Sequence, residues 1–183
     1  MSKIGEKPIP LPQEIKVEVQ GKKINIKGKE GEIKLDIPNQ LSVSIDKGQL
    51  MVKVDKNDKT AKALHGLYRS LISNAIQGVQ KAWEKKLEVT GTGFGVQLQE
   101  DDLVFKVGYS HPVVFKKKAG IKFAIEGSNK VTISGADKQL VGQIAYQIKK
   151  IKLPDVYKGK GIKYEGEHLR IKPGKKAKAA EAA

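Results

Sequence analysis

The chain has 183 residues, 39% of them hydrophobic, enough to build one ordinary core or two small ones. Its 35 lysines and arginines outnumber its 20 aspartates and glutamates, leaving a formal charge of +15 that repels itself in a compact body and attracts polyanions. No long uninterrupted apolar run and no basic stretch with an interfacial apolar face is present, so nucleic acid fits this charge better than a membrane. The absence of cysteine excludes disulfides, thiolate nucleophiles and thiolate-held metals. Met1 to Pro8 lacks the apolar core of a secretory signal, so a cytoplasmic protein is expected.

From Ile15 to Val54 apolar and polar residues alternate in short runs, at Ile15 to Val19, Ile24 to Ile26, Ile33 to Ile37, Val43 to Ile45 and Leu50 to Val54. A period of two over such lengths means half-buried antiparallel strands, and Gly21, Gly28, Gly31, Asn39 and Asp46-Lys47-Gly48 supply the turns. After Asn57-Asp58 the period changes. Leu64, Leu67, Tyr68, Leu71, Ile72, Ala75 and Ile76 share one face of a helix with Asp58 as its N-cap and Gly78 near its end.

The same order then recurs. Strands are expected at Leu87 to Val89, Val96 to Leu98, Leu103 to Val107, Ile121 to Ile125 and Val131 to Ile133. A helix capped by Asp137 follows, burying Leu140, Val141, Ile144, Ala145, Ile148 and Ile151. Val52-Lys53-Val54 leading to Asp58-Lys59 parallels Val131-Thr132-Ile133 leading to Asp137-Lys138, an offset of 79. Each helix holds an interior glycine, Gly66 and Gly142, which costs about 1 kcal/mol relative to Ala and is expected to mark close packing. The expected fold is α+β: two similar small domains from an internal duplication, each an antiparallel sheet with one helix packed on it. The expected boundaries are 1–81 for an N-terminal α+β domain, 82–176 for a C-terminal RNA-binding domain and 177–183 for a disordered tail. Trp83 falls in the join, where packing is favoured over stacking on a base.

Charge is concentrated. Lys149 to Lys178 holds eleven Lys or Arg against three acids, a net of +8 in thirty residues and more than half the total excess. The candidates are Tyr157, Lys158, Gly159, Lys160, Gly161, Lys163 and Tyr164, followed by Arg170, Lys172, Lys175, Lys176 and Lys178. Alternating lysine and glycine put ammonium groups on a flexible, low-profile chain that can approach phosphates, while Tyr157 and Tyr164 offer rings for bases or riboses. A solvated basic tail would explain Lys175 to Lys178 but not the regular glycine spacing. Arg69 and Arg170 are the only arginines, so recognition should rest on phosphate contact and RNA shape, with little bidentate reading of guanine.

Signals for catalysis are weak. Gly91-Thr92-Gly93-Phe94-Gly95 has the wrong spacing for a phosphate loop and leads into a strand, so it reads as a turn or bulge. Glu100-Asp101-Asp102 lies between two strands as ordinary hairpin residues. His65, His111 and His168 are scattered without a partner at metal-ligand spacing, and no Ser, His and acid grouping stands out. No enzyme, metal or cofactor is expected. Secondary RNA contacts are expected from two places: His65 and Arg69 on the first helix, and Ser110, His111, Lys116, Lys117 and Lys118 in a loop of the second half. His65 is equally readable as a helix-surface histidine.

Pro154-Asp155-Val156-Tyr157-Lys158-Gly159-Lys160-Gly161-Ile162-Lys163-Tyr164 resembles the signature of the sixth protein of the large ribosomal subunit, bacterial type. The resemblance extends through Ser2-Lys3-Ile4-Gly5, His65-Gly66-Leu67-Tyr68-Arg69-Ser70-Leu71, Gly108-Tyr109-Ser110-His111-Pro112-Val113, and Gly166-Glu167 to Lys175. It implies two duplicated α+β domains and attachment to 23S ribosomal RNA, mainly by the C-terminal half, near the sarcin-ricin region and the stalk base. It also implies neighbouring large-subunit proteins as partners, with the chain a monomer within the ribosome. The sequence departs from the family in having Lys at Lys3 and Lys163 where Arg is common, Asp155-Val156 for Glu-Pro, and Gly95 where Arg is often found. The alternative is a free basic RNA-binding or RNA-chaperone protein, which would bind short generic RNA equally well.

Overall fold

A computed structural model of the chain describes residues 3–46, 48–55 and 58–174. The chain divides into two compact units, Met1–Trp83 with Gly135–Lys138, and Glu84–Ser134 with Gln139–Ala183.

The first unit contains β1 (Ile9–Pro10), β2 (Lys16–Gln20), β3 (Lys23–Gly28), β4 (Gly31–Asp36), β5 (Leu41–Asp46), β6 (Gln49–Val54) and α1 (Lys59–Gln80). The strands form two antiparallel three-stranded sheets, in the orders β2-β3-β4 and β1-β6-β5, rather than the single sheet expected from the sequence. Pro38, which has no amide hydrogen to give to a ladder, lies in the link where one sheet ends and the next begins. Ile24 and Ile26 of β3, Leu41 of β5, Leu50 and Val52 of β6 and Ile72, Ala75, Ile76 and Val79 of α1 bury together in one apolar cluster. The helix therefore draws on both sheets for its core, and each fully buried Ile or Leu contributes roughly 1.5–3 kcal/mol. Asp58 occupies the N-cap position in extended conformation, but its side chain makes no capping hydrogen bond.

The second unit repeats this plan with β7 (Trp83–Thr90), β8 (Gly95–Gln99), β9 (Asp102–Lys106), β10 (Val113–Phe115), β11 (Ile121–Glu126), β12 (Lys130–Gly135), α2 (Lys138–Ile151) and β13 (Gly161–Tyr164). Its sheet orders are β10-β9-β8 and β11-β12-β7-β13. Read as a duplication, β8-β9-β10 matches β2-β3-β4, and β7-β12-β11 matches β1-β6-β5. The helices begin at Lys59 and Lys138, the same offset of 79 read from the sequence. Among the described residues, only β13 has no counterpart in the first copy. It pairs antiparallel with the end of β7, with Gly161 opposite Thr90, Lys163 opposite Glu88 and Tyr164 opposite Leu87, and its Ile162 is fully buried. The sequence reading missed β1, β10 and β13, which have two, three and four residues and are too short to display a period.

Two further features are better defined than the sequence allowed. The Trp83 indole Nε1 donates to the Asn74 carbonyl at 3.1 Å and the Lys138 ammonium lies 4.2 Å from the ring centroid, so the indole is engaged in packing. Close packing is found at the helical glycine Gly78 and not at Gly142. A Cβ at Gly78 would collide with the Ala136 carbonyl oxygen and approach Trp83 Cδ1 to 2.7 Å, whereas one at Gly142 meets nothing within 4 Å among the described residues. Gly78→Ala should therefore destabilise the protein by about 1–3 kcal/mol, while Gly142→Ala should stabilise it by up to about 1 kcal/mol. Denaturant unfolding of the two variants against the parent checks both signs.

Candidate nucleic-acid interface

The segment between α2 and β13 is a loop closed by its own hydrogen bonds, where its lysine and glycine content suggested a flexible, low-profile chain. Asp155 organises it: its carboxylate Oδ2 accepts the Lys158 N–H at 3.0 Å, its carbonyl accepts the Gly159 N–H at 2.9 Å, and its own N–H donates to the Lys160 carbonyl at 2.9 Å. From β7, the Thr90 hydroxyl donates to the Gly159 carbonyl at 2.9 Å and also lies 3.2 Å from that of Gly161. The glycines serve this closure. Gly159 has φ +68°, and Gly161 has φ +149° with Leu153 O and Pro154 Cα each 2.7 Å from where a Cβ would stand. The outer edge of β13 is closed as well, since the Ile162 N–H donates to Lys152 O at 2.8 Å and the Tyr164 N–H to Glu167 Oε2 at 2.9 Å.

The loop holds its cations in two groups. Lys158, Arg170 and Lys172 are exposed, Lys160 is half-buried with Nζ 3.4 Å from Thr92 Oγ1, and none of the four has an ion-pair partner among the described residues. Lys163 instead pairs across the strands with Glu88 at 3.2 Å. The Tyr164 ring carries Lys149 Nζ at 4.6 Å and Lys85 Nζ at 5.4 Å from its centroid, whereas Tyr157 is 58% exposed. Of the two rings, Tyr157 is the one left open for a base or ribose. Lys175, Lys176, Lys178 and the 177–183 tail lie outside the described residues.

Beneath β13, Glu167 accepts Lys149 Nζ on both carboxylate oxygens, at 2.6 and 2.7 Å. The Lys149 ammonium first, and the Tyr164 N–H second, hold the Glu167 carboxyl below its ordinary value of 4.5. A comparable pair on the open surface joins Lys130 to Glu165 at 3.0 Å.

The secondary candidates divide. His65 is buried, not on the helix surface: its Nε2 lies 2.9 Å from the Val52 carbonyl and must donate, because a carbonyl only accepts. That burial removes it from RNA contact. Arg69 is half-buried, its Nε 3.4 Å from Lys7 O. In the other loop Ser110, His111 and Lys116 are exposed. Lys117 is held by Asp101 at 2.7 Å and by Asp102 through its amide at 2.8 Å, and Lys118 Nζ reaches Gln147 at 3.3 Å. Glu100 and Asp101 form the β8–β9 hairpin turn, with Glu100 at φ 55°. Sequence reasoning missed Thr90, Thr92 and the organising role of Asp155; only the pairing of β13 with β7 brings the two threonines to the loop.

The described residues contain no cluster of His, Asp and Glu able to hold a metal. Among the described residues, the duplicated α+β fold carries the added strand and the closed basic loop in its second copy. The chain belongs to the family described as Ribosomal protein L6, whose model matches residues 11–82 and 90–165, one segment in each copy of the duplication. A curated relative, the Large ribosomal subunit protein uL6 of Hydrogenobaculum sp. (strain Y04AAS1), is 44% identical over 177 residues, covering 97% of this chain and 97% of the relative.

Two outcomes follow from the loop. Gly161→Ala, which meets backbone on one side and an unfavourable φ, should lower stability by about 1–3 kcal/mol and broaden the loop amide resonances in a heteronuclear spectrum. Because the Glu167 carboxyl is depressed in the folded state, its contribution is complete above pH 4.5 and is lost as the pH falls through its lower folded value. Glu167→Gln should therefore flatten the acid limb of a stability-versus-pH curve below pH 4.5, measured by denaturant unfolding at each pH.

Proposed function

We propose that this chain is a structural, non-catalytic constituent of the large ribosomal subunit that binds 23S ribosomal RNA, mainly through its second unit, near the sarcin-ricin region and the stalk base. In that setting it works as a single copy in the cytoplasmic ribosome, with neighbouring large-subunit proteins as further partners. Family membership supports this reading, as does the name of its relative. The observation that carries it is the hydrogen-bonded loop from Asp155 to Gly161 with Lys158, Lys160, Arg170 and Lys172 in and after it, whose side-chain cations have no carboxylate partner among the described residues. Mutual repulsion among these cations is relieved by phosphates, and each phosphate neutralised releases condensed counterions to the solvent. The geometry adds shape, because a loop already closed loses little conformational entropy on docking. No described helix is long and apolar enough to cross a membrane.

Contact with about five phosphates gives a slope of log affinity against log salt of roughly −3.5 to −4.5. Changing Lys158 and Lys160 together to Ala should make this slope shallower by about 1.4–1.8, and should lower occupancy of large subunits in a sedimentation profile. Lys163→Ala should change the slope less than either, since Lys163 is already paired with Glu88. A salt-insensitive complex, or equal affinity for short generic RNA, would count against the assignment and favour a free RNA-binding protein.

A further inference from the structure

Beside the closed loop, the second unit has an open recess of about 330 Å³, bordered by Lys158, His168, Leu169 and Ile171 among others. Two chemistries meet there. Lys158 is exposed and makes no ion pair among the described residues. Ile171 is aliphatic yet 56% exposed, and it lies against the loop because the Lys172 N–H donates to the Val156 carbonyl at 2.8 Å. Leu169, half-buried, supplies the second aliphatic side chain of the recess. Phosphates gain nothing from aliphatic side chains, so a ligand made only of phosphate would leave this surface wet. The recess suits a ligand that joins an anionic group to a flat apolar face.

A nucleotide has both parts, but in a double helix its base faces are covered by stacking and only its edges and backbone are presented. An aliphatic wall is useful only to a base that has left the stack. We infer that this recess takes one unpaired nucleotide of the bound RNA, with its phosphate against Lys158 and its base or ribose face against Leu169 and Ile171. The inference rests on the RNA-binding reading above and adds to it the kind of RNA element held. The volume reaches the lower end of ordinary ligand pockets, about 300 Å³, enough for one nucleotide. Lys163 and Glu167 also border the recess but are engaged by Glu88 at 3.2 Å and Lys149 at 2.6 Å. The exposed His168 makes no hydrogen bond among the described residues and is left to meet a base edge. The recess thus selects an unpaired nucleotide over a paired one more strongly than it selects one base over another.

The test uses the full chain and 23S RNA. A photoreactive benzoylphenylalanine replaces Ile171 in one sample and Lys158 in another, each is bound to the RNA and irradiated, and the linked nucleotide is mapped by primer extension. The expected result is a link from position 171 to one nucleotide that is unpaired in chemical probing, with position 158 linking at or beside the same nucleotide. In parallel, Ile171→Ser should weaken binding about tenfold with the salt slope unchanged, the factor for roughly 60 Å² of apolar surface returned to water. Links from position 171 to paired nucleotides, or none while position 158 links, would overturn the inference and leave RNA binding intact. Unchanged affinity in Ile171→Ser would overturn it too. Absence of RNA links from both positions would overturn the binding surface itself.

Discussion

Pairing of β13 with the end of β7 is the constraint on which the candidate surface depends, because it anchors the loop that precedes it to the sheet. Burial of Ile162 seats the strand and the Gly161–Thr90 register brings the threonine hydroxyl under the loop. Asp155 then closes the turn from the other side. Each of these contacts is modest taken alone, about 0.5–1.5 kcal/mol net for a typical hydrogen bond. Together they convert a segment rich in lysine and glycine, which would otherwise sample many conformations, into one fixed presentation of charge.

The duplication clarifies what was added to what. Both copies contain the same six strands and one helix, with the same neighbour order in each sheet. In the first copy the helix buries its apolar face against residues of both sheets. The first copy ends its β1 edge with two residues, Ile9 and Pro10. At the corresponding edge of the second copy, β7 is eight residues long and accepts another strand. The difference between a scaffold and a candidate binding surface thus turns on the four residues of β13, laid along one sheet edge, and the loop they anchor.

Much of this was legible in the sequence, and what was not has physical causes. Alternation exposed the longer strands, and the 3.6-residue period exposed both helices, since those signals come from burial on one face. The split into two sheets per unit was hidden, because β-sheet partners are set by tertiary packing and not by the local pattern. His65 reads as a surface residue by its polarity, yet it is buried with its Nε2 satisfied by the carbonyl of Val52, a residue thirteen positions away. Among the lysines, the sequence distinguishes none from another. Glu88, which neutralises Lys163, sits 75 residues earlier and becomes its neighbour only through strand register. The glycine spacing is regular in the sequence, but its reason, a positive φ at Gly159 and crowding by Pro154 at Gly161, arises only in the folded loop.

The Thr90 clasp also governs the direction of a dipole. A trans peptide sets its carbonyl and the following amide hydrogen on opposite sides, so drawing the Gly159 oxygen toward Thr90 turns the Lys160 amide hydrogen away from it. That hydrogen has no acceptor among the described residues. Main chain and side chain of the same residue therefore both offer positive charge, one as a fixed fractional charge and the other as a mobile whole one. A substitution that removed the ammonium of Lys160 would leave the amide donor in place.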